Sequence, residues 1–439
     1  MNNQQINGYR FNSFFKGVAM NDSVRLIMVG GFLGAGKTTL LWEAARLLSQ
    51  RGEMVGLITN DQAPGLVDTT FLSWTGSRVE EVAGSCFCCN FEGMIEAVQK
   101  LRNDGAGIIL AEPVGSCTDL VATIIRPVLQ LHPWIELKEL SVMADPGRLA
   151  EILDPVENGM LHRDAAYILR LQLQEADRIV IGKSDSLSDS DIKAIRERLT
   201  GEFPDTALSI LSSFSGNGLH QWLADVLTGP GPMKGQRPDS QTPGMDVDYD
   251  RYAQGEAVLG WLNAVVTLHH EKTGKTAISE IESHSDCHES SFKLLVENFM
   301  SEMKSLLKDP VPLEIGHLKT CVTWKKGMIL SNLTALDREP DFRCREFPQN
   351  LSLMEETDIK ANPEDIKVNG TACATADGLE NESASLTINA RVQTDPDTLA
   401  RIVERAIEKA VQASAMRGEI VSFTSLKPGR PCPTHRYGV

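Results

Sequence analysis

The chain has 439 residues, 42% of them hydrophobic, with 43 basic and 59 acidic side chains and a formal net charge of −16. That length exceeds one ordinary core, so two domains are expected, and the acidic balance argues against binding nucleic acid or an anionic membrane surface. No apolar run reaches the ~18 residues of a membrane helix. The polar and aromatic stretch 1–22 lacks a signal-peptide pattern and reads as a flexible N-terminal extension. Nine cysteines, three of them crowded at Cys86, Cys88 and Cys89, read as reduced thiols and a cytoplasmic location.

From Val24 the chain alternates short β-rich apolar runs with helical stretches. Strands are expected at Val24–Val29, Met54–Thr59, Arg78–Val82, Gly107–Leu110, Leu140–Met143, Arg178–Ile181 and Ala207–Leu211, with helices at Thr38–Arg51, Asp189–Phe203 and Leu219–Leu227. This pattern makes 23–228 an α/β domain with a mostly parallel sheet. Gly and Pro then crowd in, and 229–250 reads as a linker. Asp246, Asp248 and Asp250 alternate with Val247 and Tyr249, the pattern of a solvated edge strand.

The rest, 251–439, reads as a smaller α+β domain. Strand Ala257–Leu268, a helix near Ser291–Leu307, strands Leu313–Val322, Met328–Leu333 and Ala384–Val392, helix Pro396–Ala415 and strand Glu419–Leu426 come close to a ferredoxin-like βαββαβ order with one extra strand. The stretch 337–382 is polar and aperiodic and is expected to be a loop. The proline-rich tail Lys427–His435 is expected to lie extended on this second domain or to meet a partner.

Between the first strand and the first helix stands Gly31-Phe32-Leu33-Gly34-Ala35-Gly36-Lys37-Thr38, a G-x-x-x-x-G-K-[ST] motif in its required context. Glycines let backbone N–H groups turn in around phosphate oxygens, and the helix N-terminus adds positive potential. Gly31, Gly34, Ala35, Gly36, Lys37, Thr38 and Thr39 are therefore the candidate nucleotide-binding residues. Lys37 would reach the β- and γ-phosphates, and the Thr38 hydroxyl would join a Mg²⁺ shell. Cys86-Phe87-Cys88-Cys89 lies before a helix starting near Phe91, and three thiols in four residues can ligate one soft or borderline cation such as Zn²⁺. The alternative is a cluster of buried or redox cysteines without metal. Cys117 offers another thiol, with a small core residue as its other reading.

Gly30–Leu40 together with Cys86-Phe87-Cys88-Cys89 resembles the CobW-like GTPases, a metallochaperone family related to the urease and hydrogenase nickel-insertion GTPases. Asn60-Asp61 resembles the family's Asn-Glu switch, Glu112-Pro113-Val114-Gly115 its Glu-x-x-Gly, and Lys183-Ser184-Asp185 the end of its Asn-Lys-x-Asp. The resemblance implies a P-loop NTPase fold and GTP hydrolysis coupled to delivery of a divalent metal to a metal-requiring client protein, with a homodimer possible. Lys37, Asp61 and Glu112 would then be catalytic, Glu112 near Mg²⁺ or its water. Gly115 would help bind the nucleotide, Lys183 would cover the base and Asp185 would bond guanine. Cys86, Cys88 and Cys89 would hold the metal: Zn²⁺, or Co²⁺, Ni²⁺ or Fe²⁺. Three departures stand out: Gly182 replaces the guanine-loop Asn, Asp61 shortens the switch Glu, and Pro64 falls near a second switch Glu. A His-rich tract is absent, and His284, Cys287 and His288 read as a loop with weak metal-binding potential. Two other classes stay open: a nucleotide-dependent kinase or ligase, and a nucleotide-switched scaffold without metal transfer.

Overall fold

The computed structural model describes residues 23–153, 162–232, 245–270, 284–309, 311–346 and 383–437; the side chains of 270, 284–288, 345 and 346 are outside that description. The chain begins with β1 (Val24–Gly31), α1 (Lys37–Gln50), β2 (Val55–Asn60), α2 (Val67–Ser73), β3 (Arg78–Val82), α3 (Phe91–Asn103) and β4 (Ile108–Glu112). A π-turn at Val121–Ile125 leads into α4 (Arg126–Leu131), β5 (Ile135–Leu137), β6 (Ser141–Ala144), α5 (Pro146–Leu153) and α6 (Arg163–Glu175). Then come β7 (Arg178–Ile181), α7 (Asp189–Glu202), β8 (Ala207–Ile210) and α8 (Leu219–Thr228). All pairings in this sheet are parallel, in the order β3-β2-β4-β1-β6-β7-β8, with the short β5 also on β1.

Side-chain alternation explains the layers. In β1, Val24, Leu26 and Met28 join the core under α3 and α6, while Ile27 and Val29 join the core under α1 and α8. Both faces are covered, as a parallel sheet requires, and the loop ends of β1, β2 and β4 converge on one edge.

The second unit contains α9 (Tyr249–Ala257), β9 (Gly260–His270), α10 (His284–Lys308), β10 (Ile315–Trp324), β11 (Gly327–Leu333), β12 (Asp341–Glu346), β13 (Ala384–Val392), α11 (Pro396–Ala413) and β14 (Met416–Leu426). Its antiparallel sheet runs β12-β11-β10-β13-β9-β14. The stretch β14-β9-β13-β10 has the ferredoxin-like order, and β11 with β12 extends one edge. Two strands are therefore added, not one. β12 lies inside the stretch 337–382 expected to be loop: Phe342 and Cys344 alternate with charged residues along it, too short a run to stand out from its polar surroundings. Residues 347–382 and 1–22 lie outside the described residues.

The aspartate-rich edge strand is not present. Asp248 instead caps α9, its carboxylate accepting from Asp250 N–H and Arg251 N–H at 3.0 Å each, a use for which a short acidic side chain suits well. α9 rests on α6 of the first unit, where Arg251 bonds Asp164 and stacks on the Tyr167 ring. His284–His288 begin α10 and are helical, not a loop; their side chains lie outside the described residues.

One face of the second sheet is apolar and carries α10 and α11, with Leu262, Ala264, Leu318, Val322, Ile388 and Ala390 in its core. The intervening residues Asn263, His317, Lys319, Asn389 and Arg391 belong to the opposite face, and all but Lys319 are buried. This polar face is applied to the first unit. Among the described residues, no helix is long and apolar enough to cross a membrane.

Candidate functional site

The phosphate loop links β1 to α1. Gly31 has φ 128°, and a Cβ there would stand 2.2 Å from the Met143 carbonyl oxygen, so only glycine serves. Gly36 (φ 101°) turns the chain into α1. Lys37 Nζ lies 3.4 Å from Phe32 O, within the loop's own curve, and 3.7 Å from Glu112 Oε1. The Thr38 hydroxyl donates to that same oxygen at 3.2 Å. Burial pulls Lys37 down and pushes Glu112 up, while their pairing opposes both shifts. Glu112 Oε2 is buried and accepts no hydrogen bond. A free, buried carboxylate oxygen beside the loop threonine fits the oxygen-rich shell that Mg²⁺ requires.

A cavity of about 980 Å³ opens above the loop, walled by both units. Gly34, Ala35, Gly36, Thr38, Thr39, Glu112, Gly115, Lys183 and Asp185 all line it. Lys183, with φ 52°, reaches Asp145 at 2.6 Å; Asp185 is exposed, and Ser213 and Phe214 line the same cavity. A Cβ on Gly182 would stand 3.2 Å from Ala35 O, so a side chain at this position would lie against the phosphate loop.

The second unit contributes residues that sequence reasoning missed. Arg391 Nη2 bonds Asp61 Oδ2 at 2.5 Å, with 2% and 4% of the two side chains exposed. Asn263 donates to the same carboxylate at 3.2 Å, and the Asn389 side-chain oxygen accepts from Val67 N–H at 2.7 Å. Lys319 Nζ pairs with Asp68 at 2.7 Å and stands 3.4 Å from Thr38 Oγ1. Burial and the surrounding cations Lys319, Arg391 and Lys37 hold His317 neutral. The period-2 alternation of polar and apolar residues in β10 and β13 was the available signal; what the polar face covered was not legible.

The thiols cluster on the other side of Asn60. Its amide donates to Val82 O and Ser85 O at 2.8 Å each, and its oxygen accepts from Phe87 N–H at 2.9 Å. The Cys86–Asn90 turn closes on Cys86 O, which accepts from Cys89 N–H and Asn90 N–H, and the Asn90 side chain then caps α3. The sulfurs of Cys86, Cys88 and Cys117 lie within 4.8 Å of one another, all buried. Cys89 Sγ is 3.8 Å from Cys88 Sγ and less buried. Cys117, on the loop after β4, thus stands both in the core and in the thiol cluster. Hydrogen bonds from Cys117 above all, then from Cys88 and Cys89, pull the Cys86 thiol far below its ordinary range. Cys117 and then Cys86 push Cys88 up, and the contact with Cys86 pushes Cys117 up and Cys89 to about 11. Ser116, beside Cys117, donates to Glu256 of α9 at 2.5 Å; burial raises that carboxyl to about 8, and its Oε2 has no hydrogen-bond partner.

The C-terminal tail crosses this cluster and touches the second unit at α9, where Arg430 pairs with Asp250 at 2.9 Å and Arg436 lies over the Tyr249 ring. Thr434 N–H donates to Cys88 O at 2.8 Å, Cys432 N–H points to Cys89 Sγ at 3.1 Å, and the His435 ring meets Phe91 edge-on at 4.8 Å. Arg436 pairs with Asp119 at 3.0 Å.

The family model for the CobW/HypB/UreG nucleotide-binding domain matches residues 25–207. The zinc chaperone YeiR of Escherichia coli is 27% identical over 178 residues, which is 39% of this chain and 50% of that protein. The zinc chaperone CobW of Pseudomonas aeruginosa is 25% identical over 219 residues, 43% of this chain and 56% of that protein. The chain thus spans about half the length of the curated relatives it matches. The crystal structure of HypB from Helicobacter pylori in complex with nickel shows 16% identity, covering 47% of this chain and 87% of that one, with a TM-score of 0.35. Residues 25–207, with their phosphate loop and parallel sheet, are a nucleotide-binding domain of the CobW/HypB/UreG kind.

Proposed function

We propose that this protein binds and hydrolyses GTP and uses the nucleotide to control a divalent metal, zinc first, which it passes to a metal-requiring client protein. The observation that carries this is the buried thiol cluster of Cys86, Cys88 and Cys117, held to the nucleotide pocket by Asn60. Tetrahedral zinc thiolates space their sulfurs about 3.8 Å apart, and three sulfurs within 4.8 Å suit that geometry after a small spread. The resemblance to zinc chaperones supports zinc over the other candidate ions. Cys89, at the less buried edge, is suited to receive or release the ion.

At the nucleotide, Lys37 neutralises the β- and γ-phosphates, and Thr38 and Glu112 would hold Mg²⁺, which supplies charge neutralisation between those phosphates. Glu112 also sets the polarity of the pocket where water attacks. Asp61 is engaged by Arg391, and its release would be needed before it could position water. Lys183 and Asp185 would meet the base. Asn60 bonds both the end of β3 and the thiol loop, so a nucleotide that moves the segment 60–68 changes the geometry of the sulfurs.

The test is titration of reduced, metal-free protein with Zn²⁺ and Co²⁺ in the presence of GTP·Mg²⁺ or GDP, following the Co²⁺–thiolate band. A stoichiometric band is expected, with an affinity that depends on nucleotide. Cys86→Ser, Cys88→Ser and Cys117→Ser should each abolish or shift it, and Cys89→Ser should weaken metal binding less. A band indifferent to nucleotide, or none, would sink the proposal.

A further inference from the structure

Lys319 is a cation that the second unit brings to the phosphate loop. Its ammonium lies 3.4 Å from the Thr38 hydroxyl and between 2.7 and 2.8 Å from the two Asp68 oxygens. Its side chain is 17% exposed, its partner's 15%, so this pair is largely dry. The threonine after the loop lysine marks where the terminal phosphates and their Mg²⁺ gather. The phosphate loop wraps the inner phosphates with backbone N–H groups, and the wall facing it across the cavity is built by β10 and β11. A lysine on that wall faces the end of the phosphate chain.

From this juxtaposition we infer that Lys319 is a nucleotide-binding residue supplied by the second unit, and that it takes the terminal phosphate of a bound nucleoside triphosphate in place of Asp68. The inference rests on the proposed nucleotide site and deepens it. The exchange conserves charge pairing: the ammonium leaves one anion for another, and Asp68 is set free at the start of α2. Asp68 ends the segment that begins at Asn60, so losing this contact loosens the segment at one end while Asn60 still grips the thiol loop at the other. A diphosphate has no group to compete for Lys319 and leaves the Asp68 pair intact. The second unit thereby senses which nucleotide is bound.

The test is equilibrium binding of a fluorescent non-hydrolysable GTP analogue and of fluorescent GDP, each with Mg²⁺, to the full chain and its Lys319→Met, Lys319→Arg and Asp68→Asn variants. A charge-assisted contact predicts that Lys319→Met weakens the triphosphate analogue by about ten- to a hundredfold and leaves GDP affinity unchanged. Lys319→Arg should restore most of the loss. Asp68→Asn, which frees the ammonium from its present partner, should leave triphosphate affinity equal or higher. The inference is overturned if Lys319→Met weakens both nucleotides equally, if it strengthens Mg²⁺-dependent binding, as a mere stand-in for the cation would, or if Asp68→Asn reproduces its loss. Failure of the unaltered chain to bind either nucleotide would instead defeat the underlying reading, and this inference with it.

Discussion

The Asp61–Arg391 pair joins the loop after the second strand of one unit to a sheet of the other, so it makes a stringent test of how the units are held. Arg391→Met removes the guanidinium and keeps most of the stem. It leaves Asp61 with Gln62 N–H at 2.7 Å and the Asn263 amide at 3.2 Å. Breaking a buried pair from one side costs about 3–5 kcal/mol, because the remaining charge stays out of water; with two donors left, the lower end, about 3 kcal/mol, is expected. Asp61→Asn leaves Arg391 bonded to Leu262 O at 3.0 Å and Ala390 O at 2.8 Å, with its guanidinium 4.3 Å from the Trp261 ring centre. Those contacts disperse the charge, so about 2 kcal/mol is expected. The double variant strands no charge and should lose far less than the sum, which gives a coupling of about 2 kcal/mol. Urea unfolding of the four proteins, followed by tryptophan fluorescence and far-UV circular dichroism, measures this directly. Additivity within about 0.5 kcal/mol would refute the reasoning.

Two further outcomes are expected. Burial, followed by the nearby Asp119, raises Glu175 from 4.5 to about 8. The folded chain therefore holds a proton that the unfolded chain releases between those two values. Stability should fall across that window by up to about 1.4 kcal/mol per pH unit and level off above pH 8. Glu175→Gln can still accept from Val121 N–H and donate to the Thr118 hydroxyl, so it should remove the Glu175 share of the slope without loss of fold and leave the share of Glu256, which is raised over the same window; thermal melts across the pH range decide, and an unchanged slope would exclude Glu175 as a source. At Gly182, a Cβ meets Ala35 O at 3.2 Å and Met143 Cε at 3.1 Å. Gly182→Asn places an amide donor at that carbonyl after a small shift of the methionine. The family's Asn also bonds the base, so the variant should raise the preference for GTP over ATP by up to about tenfold, the worth of one hydrogen bond to guanine, in competition binding; equal selectivity would show that the new side chain does not reach the base.

The phosphate loop and the first sheet were legible because each depends on local chemistry. A glycine turn before a helix and short β-rich runs between helices leave traces in consecutive residues. Cys86, Cys88 and Cys89 were visible for the same reason. Cys117 read as a small core residue before a ligand, because free Cys packs as a small hydrophobe, and only the fold brings its sulfur to Cys86 across 31 positions of chain. Lys319 and Arg391 were opaque to sequence for a related reason. Both sit at alternate positions of ordinary-looking strands, and nothing local distinguishes a solvated polar face from one laid against another unit. The tail was legible only in part: its contact with α9 fits the expected packing on the second unit, and its contact with the thiol cluster was not foreseen. Proline excluded a helix correctly, but extended chain has no periodicity from which to read the surface it covers.

A polar face buried between two units needs a reason, because apolar residues of similar volume would hold them as well. Desolvating ion pairs such as Asp61–Arg391 and Asp68–Lys319 offsets most of their attraction. What such pairs provide is exchangeability: an apolar contact has no competitor in the cavity, whereas a phosphate or a metal ion can replace a carboxylate partner at modest net cost. Both carboxylates lie in the stretch from Asn60 to Asp68, which touches the thiol loop at one end and the threonine-bearing loop, through Lys319, at the other. If nucleotide and metal each bias this stretch, linkage makes the effect mutual: whatever factor GTP imposes on zinc affinity, zinc must impose on GTP affinity. The two titrations, run in opposite order on the same protein, must therefore return one coupling constant, and a constant of one would mean that the thiol loop and the phosphate loop do not share this segment as their switch.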